Sequence, residues 1–110
     1  MKMFTNNDQT AKLIDMGFEK PSSIASVEPI YGMGGISVAK AYTIGELLSF
    51  LPENIAKENE MPSTLNISLL NGEWCVEYSD FLGADFSFRS VELIDAIFDM
   101  IVKLKEKEVI

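Results

Sequence analysis

The clearest alternation of apolar and polar positions lies in the C-terminal half of the chain. Two runs, Leu65–Leu69 and Trp74–Tyr78, alternate apolar and polar residues around Asn71-Gly72. Alternation with a period of two is typical of a strand that is buried on one face, and Asn-Gly is a preferred type I′ turn because both positions require positive φ. The pattern predicts a β-hairpin with one apolar face, and therefore a sheet that is covered on one side only.

Two shorter segments carry the signals of a helix start. A first helix is predicted to begin at residue 6 or 7, because Asn6 followed by Gln9 matches a capping box. Thr43 and Glu46 repeat this arrangement, and apolar residues follow at helical spacing until Pro52, which stops the helix.

The last helix is predicted over Val91–Lys107, with Ser90 as its N-cap. Acidic residues lie towards its N-terminus and lysines towards its C-terminus, which is the distribution that the helix dipole favours. Its wide apolar face is formed by Leu93, Ile94, Ile97, Phe98, Ile101 and Leu104.

Two further strands are predicted over Ile24–Tyr31 and Ile36–Tyr42, on either side of the turn Gly32-Met33-Gly34-Gly35. Pro29 cannot donate a ladder hydrogen bond, so the first of these strands is expected to be bulged or to lie at a sheet edge.

Two segments are predicted to lie outside regular structure. Glu53–Ser63 is polar and is interpreted as an exposed, mobile linker within the domain, and Asp80–Arg89 as a loop with a short strand at Phe86–Phe88. The predicted order is α-β-β-α-β-β-α. This order is typical of an α+β fold, a two-layer sandwich in which three helices pack on a mostly antiparallel sheet of about four strands.

Composition places the whole chain, residues 1–110, in one globular domain. Hydrophobic residues make up 47% of the sequence and charged residues 24%. The N-terminus turns polar after four residues, so it does not resemble a signal peptide, and no apolar stretch approaches the ~20 residues that span a bilayer. A cytoplasmic protein is expected.

The net charge of −8 is concentrated in one part of the sequence. Residues 53–110 contain five basic and twelve acidic residues, a net of −7. A field of this sign repels phosphate backbones and anionic lipid surfaces. We therefore expect neither nucleic-acid nor membrane binding, although a basic protein partner fits the charge.

The absence of histidine removes several kinds of chemistry. The chain has no histidine and one cysteine, so it cannot form a Ser-His-Asp triad, a His-containing metal site or an internal disulfide. Cys75 lies between Glu73 and Glu77 on one predicted strand face, which disfavours a reactive thiolate. We predict no catalytic residue, no cofactor and no metal, and we interpret Cys75 as a small filler.

Two other motifs also have ordinary structural explanations. Gly32-Met33-Gly34-Gly35 superficially resembles a phosphate-binding loop, but a strand follows it instead of a helix, which favours a hairpin turn. The carboxylates lack the spacing of a calcium loop, and Glu92, Asp95 and Asp99 share one face of the last helix, where they are expected to be solvated.

Three phenylalanines cluster beside the acidic loop. Phe81, Phe86 and Phe88 fall within eight residues, and each must be buried either in the domain's own core, which is favoured, or against a partner. The candidate partner surface is formed by Phe81, Asp85, Phe86, Glu92, Asp95 and Asp99.

Several segments together resemble a group of small proteins. They are Met16-Gly17-Phe18, Tyr42–Leu48 followed by Leu51-Pro52, the Trp74-x-Val76-x-Tyr78 strand and Glu92–Ala96. With these segments the chain resembles short uncharacterised proteins encoded in gut Bacteroidetes genomes and their phages or other mobile elements. The resemblance implies a mobile-element setting and no particular activity, cofactor or site residue.

These observations favour a small non-enzymatic protein that acts by binding another protein or itself, through an edge strand or the last helix. The polar strand face, with Asn66, Ser68, Glu73, Glu77 and Ser79, is then either solvated or a modest polar interface. The alternative is an acidic inhibitor, such as an immunity or anti-defence protein, that binds a basic target. A small carboxylate-dependent hydrolase is a minor alternative.

Overall fold

Three helices and six strands form the part of the chain that the computed structural model describes, which is residues 2–21, 23–30, 35–57 and 60–110. The elements in chain order are α1 (Asn7–Asp15), β1 (Ser23–Ile30), β2 (Gly35–Ala41), α2 (Ile44–Ser49), β3 (Asn54–Lys57), β4 (Glu60–Leu70), β5 (Glu73–Asp80), β6 (Gly83–Ser90) and α3 (Leu93–Glu106).

The strands form two antiparallel sheets. β3, β4, β5 and β6 are neighbours in chain order in a four-stranded meander, whereas β1 and β2 pair only with each other among the described strands. The predicted α+β class, with three helices and an antiparallel sheet of four strands, is confirmed. The strands of this sheet are not those that the sequence indicated, because the first hairpin stands apart and β3 and β6 take its place.

The central hairpin forms as its sequence pattern predicted. Leu65 pairs with Tyr78, Ile67 with Val76 and Leu69 with Trp74 in an unbroken register. The turn residues Asn71 and Gly72 have φ values of 52° and 80°, the left-handed conformation that a type I′ turn requires.

Both predicted capping boxes are present. The Asn6 side chain accepts a hydrogen bond from the Gln9 amide at 2.8 Å, and the Gln9 side chain accepts one from the Asn6 amide at 3.0 Å. Thr43 and Glu46 make the same reciprocal pair at the start of α2, at 3.1 Å in each direction. Each box satisfies backbone donors that would otherwise lack partners in the first turn.

The predicted linker Glu53–Ser63 is wrong, because most of it is strand. β3 pairs with the beginning of β4, with Ile55 opposite Ser63, and Ser63 is fully buried. Pro62 lies inside β4 but beyond the pairing with β5, which starts at Thr64, so its missing N–H removes no bond to β5.

The predicted loop Asp80–Arg89 is also wrong, because β6 occupies nearly all of it. Phe86 pairs with Tyr78 and Phe88 with Val76, which confirms the short predicted strand but extends it in both directions. The register shifts at Asp85, and this bulge interrupts the alternation that would have indicated a longer strand.

The predicted cap of the last helix is two residues too early. β6 continues through Ser90, which pairs with Trp74, so α3 begins only at Leu93. Glu92 is the N-cap residue and makes no side-chain capping bond, while the Ser90 hydroxyl oxygen accepts a hydrogen bond from the Glu92 amide at 3.1 Å.

The first hairpin is antiparallel, with strands one residue away from those predicted. Pro29 pairs with Ile36, and the register shifts between Ile24 and Ser26 and not at the proline. The glycine-rich turn between the strands falls mostly on residues 31–34, which lie outside the described residues.

The core lies between α3 and one face of the four-stranded sheet, called here the inner face. α3 packs on β5 and β6 and is itself contacted by α2. Its fully buried side chains are Ile94, Ala96, Ile97, Met100, Ile101 and Leu104. The inner face of β4 extends beyond this helix: Leu65 is half-buried, but Ile67 is 37% and Leu69 56% exposed.

Candidate functional site

The three clustered phenylalanines have different environments. Phe86 and Phe88 are half-buried on β6 and pack against the core. Phe81 lies in the turn between β5 and β6 and is 77% exposed, next to Leu82, which is 82% exposed. The expected burial in the domain's own core therefore applies to two of the three rings, and Phe81 stays available to a partner.

Two of the predicted partner-surface carboxylates bind the N-terminal segment of their own chain. The Glu92 carboxylate accepts a hydrogen bond from the Lys2 backbone amide at 2.6 Å. Asp95 accepts one from the Lys2 ammonium at 2.7 Å and one from the Gln9 side chain at 2.8 Å. Lys2 therefore links the start of the chain to α1 and to α3.

The two aspartates on α3 have pKa shifts of opposite sign. Partial burial by itself raises the pKa of Asp95, but the hydrogen bonds from Lys2 and Gln9 and the Lys2 charge outweigh it, so the pKa of Asp95 is lowered. The pKa of Asp99 is raised by burial and by the negative charge of Asp95, against an opposing effect of Lys12. Asp99 is thus the less favourably placed of the two charges.

Asp99 lines a shallow groove of about 300 Å³ between α3, α1 and β6. The groove has mixed walls, in which the apolar side chains of Phe88, Phe98 and Val102 alternate with Lys12, Lys103 and Glu106. Neither Glu92 nor Asp95 lines it, so the predicted acidic helix face is divided between an internal contact and this groove.

Asp85 and Cys75 both contact other strands of the four-stranded sheet. The Ser63 hydroxyl donates a hydrogen bond to the Asp85 carboxylate, which joins β4 to β6. The Cys75 sulfur is buried at 3.6 Å from the Ser87 hydroxyl and 3.9 Å from the Glu77 carboxylate, beside a groove of about 220 Å³ that also includes Arg89. Within the described ranges, no group of three or more Cys, Asp or Glu side chains is arranged to hold a metal ion.

The surface that sequence reasoning missed as a site lies on β4. β3 accompanies this strand only as far as the bond from the Leu65 amide to the Glu53 carbonyl, at 3.0 Å. Among the described strands, β4 is therefore paired from residue 66 to residue 70 only on the side of β5. We call these five residues, Asn66–Leu70, the β4 edge.

The backbone of the β4 edge has hydrogen-bonding groups directed away from the sheet. Successive residues of a strand direct their N–H and C=O groups to opposite sides. Because the Leu65 amide points towards β3, those of Ile67 and Leu69 point the same way, past the end of β3. The side chains of Ile67, Leu69 and Leu70 are exposed at 37%, 56% and 63%.

A signal for this surface is present in the sequence. Residues 61–72 contain no charged residue, although 24% of the whole chain is charged. Apolar alternation predicted that Ile67 and Leu69 lie on the covered face, and this face is indeed the one that carries α3. The alternation of apolar and polar residues does not show how far the helix layer extends across the sheet, and this layer ends before β4.

No protein-family model, no curated protein and no solved structure matches this chain. In the described part of the molecule, no helix combines the length and the apolar character needed to cross a bilayer.

Proposed function

We propose that the protein is a non-enzymatic binding protein, and that it binds another polypeptide through the β4 edge. The observation that supports this most directly is the combination, at Ile67 and Leu69, of exposed apolar side chains with backbone groups directed towards the side of β4 that no described strand pairs with. An extended segment that pairs with such an edge gains main-chain hydrogen bonds and side-chain contacts together.

The β4 edge lacks the features by which sheets usually avoid edge pairing. Protective edges carry charged residues, proline, or a bulge. Asn66–Leu70 contains no charged residue and no proline, and its pairing with β5 continues from Thr64 to Leu70 without a register shift. An edge of this kind favours the addition of a strand.

Affinity capture with paired variants tests this function. The tagged protein is incubated with lysate of the organism that encodes it, alongside Leu69→Glu and Leu82→Glu. Both leucines are exposed, at 56% and 82%, but only Leu69 belongs to the β4 edge. We expect Leu69→Glu to abolish capture of a specific chain and Leu82→Glu to retain it; equal capture by both variants would contradict the proposal.

A second candidate function is inhibition of a basic target by charge complementarity. It is favoured by the net charge of −7 on residues 53–110, the part of the sequence that contains β3 to β6 and α3. The same capture at low and at high salt separates the two candidates. An association driven by opposite charges weakens as salt rises, whereas strand addition at the uncharged β4 edge does not.

A further inference from the structure

We infer that the segment bound at the β4 edge carries a basic residue between two apolar residues, and that these three residues pair antiparallel with Ile67–Leu69. This inference rests on the proposed function, because it specifies the chemistry of the partner of the same surface. The two apolar residues lie on the inner face of the sheet, beside Ile67 and Leu69. The basic residue lies beside Ser68 on the opposite face, called here the outer face.

The backbone of the β4 edge limits the paired segment to about three residues. Ile67 and Leu69 are the residues of the edge whose N–H and C=O groups point away from β5. In an antiparallel pair each of them exchanges two hydrogen bonds with the residue directly opposite, so three consecutive partner residues make four bonds. Asn66 separates this segment from Leu65, whose amide already binds the Glu53 carbonyl. The partner therefore takes no position that β3 or Glu53 occupies.

The inner face selects the first and third residues of the segment. Residues directly opposite each other on neighbouring strands have their side chains on the same face of the sheet. The partner residues opposite Ile67 and Leu69 are therefore on the inner face, where these two side chains are exposed. Valine or isoleucine at both positions covers this apolar surface and suits an extended backbone.

The outer face beside the β4 edge contains a groove that selects the central residue. The groove has a volume of about 220 Å³ and is lined by Ser68, Leu70, Glu73, Cys75, Glu77 and Arg89. Ser68 pairs with Cys75, and because both side chains are short, they leave a path across the sheet from the edge. On β5, Glu73 and Glu77 lie two residues from Cys75, one on each side of this path.

The charges of this groove favour a cation that enters from the β4 edge. Two carboxylates and one guanidinium give it a net charge of −1, and among the described contacts neither Glu73 nor Glu77 forms an ion pair with Arg89. Arg89 lies on β6, one strand further from the edge than the glutamates. A lysine or arginine opposite Ser68 starts two strand spacings, about 10 Å, from β5. Its long side chain and that of a glutamate together span this distance, so it meets the carboxylates before Arg89.

The net charge of the whole chain favours the same central residue. A charge of −8 repels acidic segments and attracts basic ones. Main-chain bonds and apolar contacts are common to every segment that can pair, so the charges determine mainly which of these segments binds. A rise in salt therefore reduces the preference for a basic residue and leaves the addition of the strand itself in place.

Synthetic peptides that differ at one residue test the chemistry of the segment. Three peptides contain Val-Lys-Val, Val-Gln-Val or Val-Glu-Val between Gly-Ser flanks, and each is titrated into the isotope-labelled protein and followed by NMR. The amides of Ile67 and Leu69 report binding at the β4 edge, because they gain hydrogen bonds there. We expect the lysine peptide to bind roughly fivefold more tightly than the glutamine peptide, the ratio that one exposed ion pair produces. The glutamate peptide is expected to bind most weakly.

Two pairs of substitutions test which carboxylates favour lysine. Glu73→Gln combined with Glu77→Gln is expected to abolish the preference for the lysine peptide and to leave binding of the glutamine peptide unchanged. Glu19→Gln combined with Glu106→Gln is the control, since it removes the same number of charges from two exposed glutamates outside the four-stranded sheet. This control is expected to keep the preference.

Three results would overturn the inference. They are loss of the preference in the control pair as well, equal binding of the three peptides to the wild-type protein, and no binding of any peptide. In each of these cases, capture from lysate that depends on Leu69 would still support the proposed function.

Discussion

The Lys2 ammonium lies 2.7 Å from the Asp95 carboxylate and so joins two segments that are 93 positions apart in the sequence. Asp95 is in the first turn of α3, where the partial positive charge of the helix N-terminus also favours a carboxylate. Gln9 of α1 binds both members of the pair, to Lys2 at 3.1 Å and to Asp95 at 2.8 Å. The contact thus stabilises the position of α1 against α3.

Substituting each α3 aspartate should have an opposite effect on stability. Asp95→Asn removes an ion pair with Lys2 and is expected to lower the free energy of unfolding by about 0.5–1 kcal/mol, the range for a partly exposed pair. Asp99→Asn, one turn later, removes a charge that partial burial and repulsion from Asp95 both disfavour, and is expected to leave stability unchanged or slightly higher. Urea unfolding at neutral pH compares the two. A loss of stability in both variants would show that the Lys2 contact is not what distinguishes these sites.

The pH dependence of Asp95 follows from its lowered pKa. The folded protein favours the ionised form of this carboxylate more than the unfolded chain does. The contribution of Asp95 to the free energy of unfolding is therefore complete above the pKa of the unfolded chain. It is lost as the pH falls through the lower folded pKa. The difference in unfolding free energy between wild type and Asp95→Asn is therefore expected to shrink on acidification, which denaturant unfolding at a series of pH values can measure.

Tyr78 connects the sheet to the chain before β3. Its ring is fully buried, and its hydroxyl donates a hydrogen bond to the Pro52 carbonyl at 2.6 Å. Tyr78→Phe leaves that carbonyl without this partner and is expected to cost about 1 kcal/mol in unfolding free energy. Tyr42→Phe, which removes the bond from the Tyr42 hydroxyl to the Glu19 carbonyl, provides a matched comparison.

The environment of Tyr78 also determines how its hydroxyl ionises at alkaline pH. Burial raises the pKa of Tyr78 to about 12 from its usual value near 10. The stabilisation that the protonated Tyr78 hydroxyl contributes is complete below the pKa of tyrosine in the unfolded chain. It is lost as the pH rises through the pKa of Tyr78 in the folded protein. We expect phenolate absorbance to report fewer ionised tyrosines in the folded protein than in urea between these two values. Full ionisation before unfolding would contradict the buried environment.

The core and the β5–β6 turn should differ sharply in their tolerance of truncation. Ile97 is fully buried between α3 and the sheet, so Ile97→Ala leaves a cavity and is expected to cost about 2–5 kcal/mol. Phe81→Ala removes a larger side chain from an exposed turn and is expected to change stability by less than about 0.5 kcal/mol. Thermal unfolding measures both. A large loss from Phe81→Ala would mean that this ring is buried in solution.

Local patterns predicted those elements whose stability is decided within a few residues. The boxes at Asn6 and Thr43 and the turn at Asn71-Gly72 depend on bonds or φ values that neighbouring residues supply, and all three are present. The strands β3 and β6 could not be recognised in the same way. β3 is four residues long and β6 contains a bulge at Asp85, so both depend on pairing with distant parts of the chain.

The candidate site could be predicted only in part for a related reason. The exposure of Phe81 follows from its place in a turn, but the contacts of Glu92 and Asp95 with Lys2 join opposite ends of the chain. The β4 edge depends on where β3 ends and how far α3 reaches across the sheet. The alternation of residues within β4 shows neither the position at which β3 ends nor the reach of α3.

The same change, glycine to alanine, at Gly72 and at Gly45 tests how backbone conformation affects stability. Gly72 has φ of +80° in the type I′ turn, where alanine has open space but an unfavourable backbone, so Gly72→Ala is expected to cost about 1–2 kcal/mol. Gly45 lies in α2 with ordinary helical geometry, and an added Cβ would meet the Thr43 hydroxyl only at 3.9 Å. Gly45→Ala is therefore expected to raise stability by about 0.5 kcal/mol, because alanine is the better helix former. Urea unfolding of both variants checks the signs, and a loss from Gly45→Ala as large as that from Gly72→Ala would refute the difference in backbone conformation.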